Sequence, residues 1–157
     1  MSHQTALLVI DAQVSILDDS NAYRAPETLA RIADLLDRAR TAGTPVIFIQ
    51  HDHDRYEPMM PGAPGWQIHP AVAPHPGETV VRKRAADAFF GTELRAKLDD
   101  RAVTRLVVTG CETQYCVDAT VRRSPIGGGQ RLRRCAGPLV RQPSTVRPAA
   151  PRHSGAP

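Results

Sequence analysis

ALLVID, residues 6–11, is an unbroken apolar run that ends on an acid. A strand exposed on one face would alternate polar and apolar residues. A strand covered on both faces would not, and such strands belong to parallel sheets flanked by helices. The period then changes. From Pro26 to Ala42, residues Leu29, Ile32, Ala33, Leu36 and Ala39 recur at helical spacing; Pro26 suits a first turn and Gly43 supplies a stop. PVIFIQ, residues 45–50, is again an apolar strand. Strand, helix and strand joined by short links make a βαβ unit.

The pattern continues beyond a long connection, His51 to Gly77, rich in Pro, Gly and His. TVVR (79–82) reads as a strand leading to Lys83, and TELRAKLDD (92–100) as a helix with Thr92 as its N-cap. RLVVT (105–109) reads as a fourth strand, and YCVDATVRR (115–123) as a helix opening almost at Cys116. The expected fold is therefore α/β, a doubly wound, mostly parallel sheet with helices on both faces. Ligands of such sheets bind beyond the carboxyl ends of the strands. Asp11, Lys83 and the turn from Gly110 to Cys116 each follow a strand, so polar and reactive residues converge on one edge.

The 157-residue chain is long enough for one domain with a single core. Its net charge of +4 is unevenly spread. Residues 124–157 contain six Arg and no Lys, Asp or Glu, which leaves residues 1–123 with 14 basic and 16 acidic side chains. The basicity is a property of the tail, and nucleic acid is not the expected partner of the folded part. The start, MSHQTALLVIDAQ, has no basic leader, and its apolar run is too short to span a bilayer; a cytoplasmic protein without membrane attachment is expected. Three cysteines in a chain of this size do not make a disulfide framework.

After Arg123 the periodicity stops. Residues 124–157 hold six Pro and five Gly, so residues 1–123 read as the domain. The tail reads as disordered or as the product of a reading-frame shift, with the final strand and helix of the sheet missing.

Cys116 is the first candidate for chemistry. The thiolate is the reactive form of cysteine, and a helix N-terminus favours it. The plainer reading is a buried structural thiol. Asp11, closing an apolar strand, reads as a base or as an N-cap; Lys83, within RKR, reads as a charge partner or as part of a solvated run. Trp66, Phe89, Phe90 and Tyr115 are candidate pocket residues, with core packing the alternative. His51 and His53 share a strand face beside Asp52, with His69 and His75 further on. They leave a metal open, although solvated loop histidines are the commoner case; no cofactor is expected.

ALLVIDAQ, VVRKRAADAFFGTEL and LVVTGCETQYCVDATVRR together resemble the isochorismatase-like cysteine hydrolases, which include nicotinamidases and N-carbamoylsarcosine amidohydrolases. The match covers Asp11, Lys83 ahead of Ala88-Phe89, and Gly110, Thr113, Cys116 and Val117; the segment around Trp66, His69 and Pro70 is also similar. It runs from residue 5 to residue 123. The resemblance implies Cys116 as nucleophile, Asp11 as general base and Lys83 as the charge holder. It further implies an oxyanion hole from the backbone N–H groups of Glu112 and Cys116, a cis peptide between Cys111 and Glu112, and a homo-oligomer. True isochorismatases resemble the same pattern without the cysteine, so Cys116 points to the amidase-like branch and a small amide substrate. Cys111 is then a bystander.

Two other functions compete: a non-catalytic remnant of that family, and an α/β binding module whose basic tail contacts nucleic acid. The frame-shift reading makes its own prediction. Suitable codons for Gly129 to Leu139, read one base later, spell Ala-Ser-Ala-Tyr-Asp-Val-Val-Leu-Val-Arg, a helix end and a buried strand. A single-base indel within the codons for Ser124 to Gln130 should restore that segment; a coding sequence in which no such indel does so removes the idea.

Overall fold

In the computed structural model, residues 4–18, 24–126 and 133–134 are described. The strands are β1 (Gln4–Ile10), β2 (Val46–His51), β3 (Thr79–Lys83), β4 (Val103–Gly110) and β5 (Arg133–Arg134). The helices are α1 (Val14–Leu17), α2 (Ala25–Thr41), α3 (Leu94–Asp99) and α4 (Asp118–Arg123). The sheet order is β3-β2-β1-β4-β5, and every pairing is parallel.

The apolar run of β1 is continuous because it is central. Leu8 and Ile10 point into one core with Ile47, Ile49, Leu94 and Leu98, while Leu7 and Val9 point into the other with Ile32, Leu36 and Phe48. Thus α2 covers one face, and α3 with the segment after β4 covers the other. Each fully buried Leu or Ile contributes about 1.5–3 kcal/mol, which makes the middle of the sheet its most heavily stabilised part. Helix α3 starts at Leu94 with Glu93, not Thr92, at its N-cap position; Thr92 lies one residue earlier, its Oγ1 accepting from the Leu94 N–H at 3.2 Å.

Two elements differ from the sequence expectation. Cys116 does not open an α-helix. It lies inside a π-helical turn, Thr113–Val117, which leads into α4. A fifth strand of two residues, Arg133–Arg134, pairs with Val107 and Val108 of β4. Backbone pairing at a sheet edge needs no apolar side chains, so hydrophobic patterning gives no sign of it. The tail expected to be disordered or frame-shifted, and the helix expected to be missing, otherwise lie outside the described residues.

The chain runs outward from β1 through β2 to β3, then returns to place β4 on the opposite side of β1. The strand order therefore reverses at β1, and the crevice at such a switch point is where α/β sheets bind ligands. Asp11, immediately after β1, adopts a left-handed conformation with φ of 50°. Its N–H donates to the Ile49 carbonyl at 2.9 Å. Beside it, Gly110 has φ of +124°, and a Cβ there would lie 1.9 Å from the Ile10 carbonyl oxygen. Backbone, not a movable side chain, fills that space. Gly110→Ala is expected to destabilise the fold by more than about 2 kcal/mol. Urea unfolding would check this, and an unchanged midpoint would refute the close-approach account.

Candidate active site

The carboxyl edge of the sheet gathers four side chains: Asp11 after β1, His51 ending β2, Lys83 ending β3 and Cys116 from the turn after β4. The register places His51 directly beside Lys83. Lys83 is the centre of the group. Its Nζ lies 2.8 Å from Asp11 Oδ2, 3.0 Å from His51 Nδ1, 3.0 Å from the Ala85 carbonyl oxygen and 3.2 Å from Cys116 Sγ. The Lys83 and Asp11 side chains are 0% and 1% exposed. Among the described residues Asp11 Oδ1 has no hydrogen-bond partner.

Burial disfavours the Lys83 ammonium, but Asp11 first and Cys116 second overcome that penalty and hold its pKa above the ordinary lysine value. Burial pushes the Cys116 thiol up to about 12; the Asp11 carboxylate adds to the rise and the Lys83 ammonium opposes it. This corrects the expectation of a thiol acidified by a helix N-terminus. A π-helical turn in a water-poor site offers less to a thiolate than burial beside a carboxylate removes. Glu112, next to the turn, is likewise held above its ordinary range, by burial and then by Asp11.

Among the described residues, Cys111 and Cys116 are both free and differ in surroundings. Cys111 is buried within the core cluster that α2 covers, and burial raises its thiol to about 12. Cys116 is half-buried and touches Lys83. The Cys111–Glu112 peptide is cis.

A cleft of about 500 Å³ meets this group at Lys83, lined also by Asp52, Arg82, Arg84, Phe90 and Gly91; Asp11, His51 and Cys116 are not in its lining. Of the four candidate pocket residues, Phe90 lines this cleft, and Trp66, Phe89 and Tyr115 do not. Trp66 donates its indole N–H to Asp52 at 2.9 Å and lies under the Arg82 guanidinium, so it braces the cleft wall. Phe89 packs against the core cluster that holds Leu94 and lines a second, shallower cleft with Phe90 and Arg95. Tyr115 is 53% exposed and lies outside the cleft lining. Phe90 is 67% exposed.

The histidines and Asp52 do not form one cluster. Asp52 is bound by Arg82 at 2.7 Å and 3.0 Å. His53 Nδ1 accepts from the backbone N–H groups of Arg55 and Tyr56, and His69 Nδ1 from that of Ala71. Ligand-type atoms do meet within 4.8 Å at Asp11, His51 and Cys116, yet the Lys83 ammonium touches all three. A fixed cation already sits among these donors, and a metal ion placed there would face its charge.

One residue escaped the sequence reading. Gln13, fully buried, accepts from the His51 N–H at 2.8 Å. It donates to the carbonyls of His51 at 3.0 Å and Trp66 at 2.8 Å. It thereby ties the end of β2 to the long connection. Its signal was a lone amide two residues past Asp11, between apolar residues.

These shifts have a stability consequence. Both thiols are raised on folding from 9.0 to about 12, so above pH 9 the unfolded chain ionises first and the fold loses stability. The Lys83 contribution is present below 10.5 and is lost as pH rises through its elevated folded value. The urea midpoint should fall steadily from about pH 9 to about pH 12; a flat profile would contradict the burial of these groups.

Comparison with known proteins follows the same residues. The profile of the Isochorismatase domain matches residues 5–124. A streptothricin hydrolase of Streptomyces noursei is 43% identical over 118 residues, covering 74% of this chain and 43% of its own length. A maleamate amidohydrolase of Pseudomonas putida is 33% identical over 136 residues, covering 73% of this chain and 62% of its own. The crystal structure of an isochorismatase from Pseudomonas putida matches with a TM-score of 0.69 at 35% identity, over 76% of this chain and 62% of that one. The chain thus spans less than half the length of the streptothricin hydrolase it matches. No helix among the described residues is long and apolar enough to cross a membrane. With the matched span holding β1 to β4 and all of Asp11, Lys83 and Cys116, the chain belongs to the isochorismatase-like cysteine hydrolase family.

Proposed function

We propose that the protein hydrolyses a small-molecule amide through Cys116. The observation that carries this reading is the contact chain from Cys116 Sγ to Lys83 Nζ at 3.2 Å and on to Asp11 Oδ2 at 2.8 Å. The second oxygen of Asp11 is buried without a partner among the described residues. That oxygen is the base. With the thiol protonated at rest, the proton moves to Asp11 Oδ1 as sulfur attacks the carbonyl carbon. The Lys83 contact then becomes charge-assisted and steadies the sulfur anion. Backbone N–H groups of Glu112 and Cys116 receive the oxyanion. Asp11 returns the proton to the leaving nitrogen, which departs as an amine or ammonia and leaves a thioester on Cys116. Water, deprotonated by Asp11, cleaves the thioester and restores the thiol.

The cleft volume suits a small substrate, and relatives named as a streptothricin hydrolase and a maleamate amidohydrolase support amide cleavage. No metal or cofactor is needed in this scheme, and a homo-oligomer is the proposed assembly. The remnant reading is less favoured because all three side chains meet within the described residues.

The test is release of ammonia or amine from a panel of small amides, maleamate included. Cys116→Ala should lower turnover by at least about 10³-fold, and Asp11→Asn by about 10²–10⁴-fold. Hydrolysis unaffected by Cys116→Ala would sink the assignment. Lys83→Met strands a buried carboxylate and should cost about 3–5 kcal/mol of stability besides activity, read by urea unfolding. A Lys83→Met protein as stable as the parent would refute the buried pair.

A further inference from the structure

His51 is absorbed by none of the steps above, yet it touches their central group. A lysine ammonium has three N–H donors and no acceptor. For the 3.0 Å contact between Lys83 Nζ and His51 Nδ1 to be a hydrogen bond from the ammonium, Nδ1 must carry a bare lone pair. His51 must be neutral, with its proton on Nε2. Its place is fixed by the sheet. Gln13 holds both the N–H and the carbonyl of His51, and the register sets it beside Lys83.

We infer that His51 is a positioning residue, whose unprotonated Nδ1 holds the Lys83 ammonium between Asp11 and Cys116. The inference rests on the Cys116–Asp11–Lys83 reading of the site. Lys83 has four neighbours for three N–H groups. Asp11, His51 and Ala85 surround the ammonium at 2.8–3.0 Å. The Cys116 contact is the longest of the four. With His51 and Ala85 fixing two N–H directions, the ammonium stays within reach of the sulfur and is ready to strengthen that contact once the proton leaves. Without His51 the ammonium is free to turn.

Protonating His51 removes the acceptor and sets an imidazolium against an ammonium. The groups facing His51 are Lys83 from β3, Asp11 after β1 and Cys116 from the turn after β4. On its own strand Asp52 is turned to Arg82, and the His53 ring lies 6.0 Å away. Burial first, and Lys83 next, keep His51 below the ordinary histidine value of 6.5. The site therefore stays assembled at neutral pH and loses its lysine cradle in acid.

Two measurements test this. Histidine ¹⁵N NMR at neutral pH should show His51 with Nδ1 bare and Nε2 protonated; an Nδ1–H tautomer overturns the inference, whatever the enzyme does. Iodoacetamide alkylation, followed at Cys116 by mass spectrometry from about pH 5 to about pH 9, gives the second readout. His51→Gln supplies a neutral acceptor and should stay within about 3-fold of the parent at neutral pH, while His51→Ala should fall about 10-fold or more. The ratio of parent to His51→Gln rate should drop at the acid end, because only the parent can protonate. Glutamine and alanine variants that behave alike, or a ratio that is flat with pH, refute the positioning role. Should His51→Ala not fold, the parent-to-glutamine ratio and the tautomer decide. If Cys116 of the parent reacts no faster than Cys111, the nucleophile assignment fails, and the tautomer still reports separately on the His51–Lys83 contact.

Discussion

A lysine ammonium with a side chain 0% exposed imposes more on this structure than any other group. Moving such a charge out of water costs several kcal/mol even after relaxation, so it persists only with close partners. Asp11 supplies the opposite charge, and His51, Ala85 and Cys116 supply lone pairs. Counting Lys83 itself, these groups come from three strand ends, a loop and the turn after a fourth strand. The site therefore exists only when the sheet is assembled in register.

The topology makes that convergence inexpensive. Because β1 lies at the centre and the chain changes direction there, β2 and β4 flank it at their carboxyl ends. Asp11 leaves the plane through a left-handed residue, and Gly110 lets the two backbones meet without a Cβ between them. The apolar cores on both faces hold the strand ends steady, while Gln13 and the Trp66–Asp52–Arg82 group fasten the long connection to them. Rigid elements thus carry the charges, and the connection contributes Asp52 to the cleft lining.

The lysine cradle also settles what kind of thiol Cys116 is. Its surroundings favour the neutral form at rest. In the proposed reaction the proton therefore has to move to Asp11 during attack, with Lys83 ready for the charge that would appear. Asp11, His51 and Cys116 would together make a reasonable set of metal donors. With Lys83 among them, the protein carries its own cation there.

ALLVID and PVIFIQ by themselves determined a parallel sheet, since only strands covered on both faces dispense with polar alternation. Asp11, Lys83 and Cys116 were legible as candidates because each follows a strand, and the strand ends of such a sheet share an edge. What the linear pattern could not carry was anything set by exact neighbours. Cys116 reads as a helix start, but only the folded turn decides that it is π-helical and that burial outweighs any helix field. His51 reads as one of several loop histidines, and only the β2–β3 register puts its ring against Lys83. Trp66, Phe89 and Tyr115 are equally aromatic in the sequence, yet packing sends them to a brace, a core and the surface. Periodicity reports which face is covered; distances between side chains from different strands depend on register and burial, which arise only when the sheet closes.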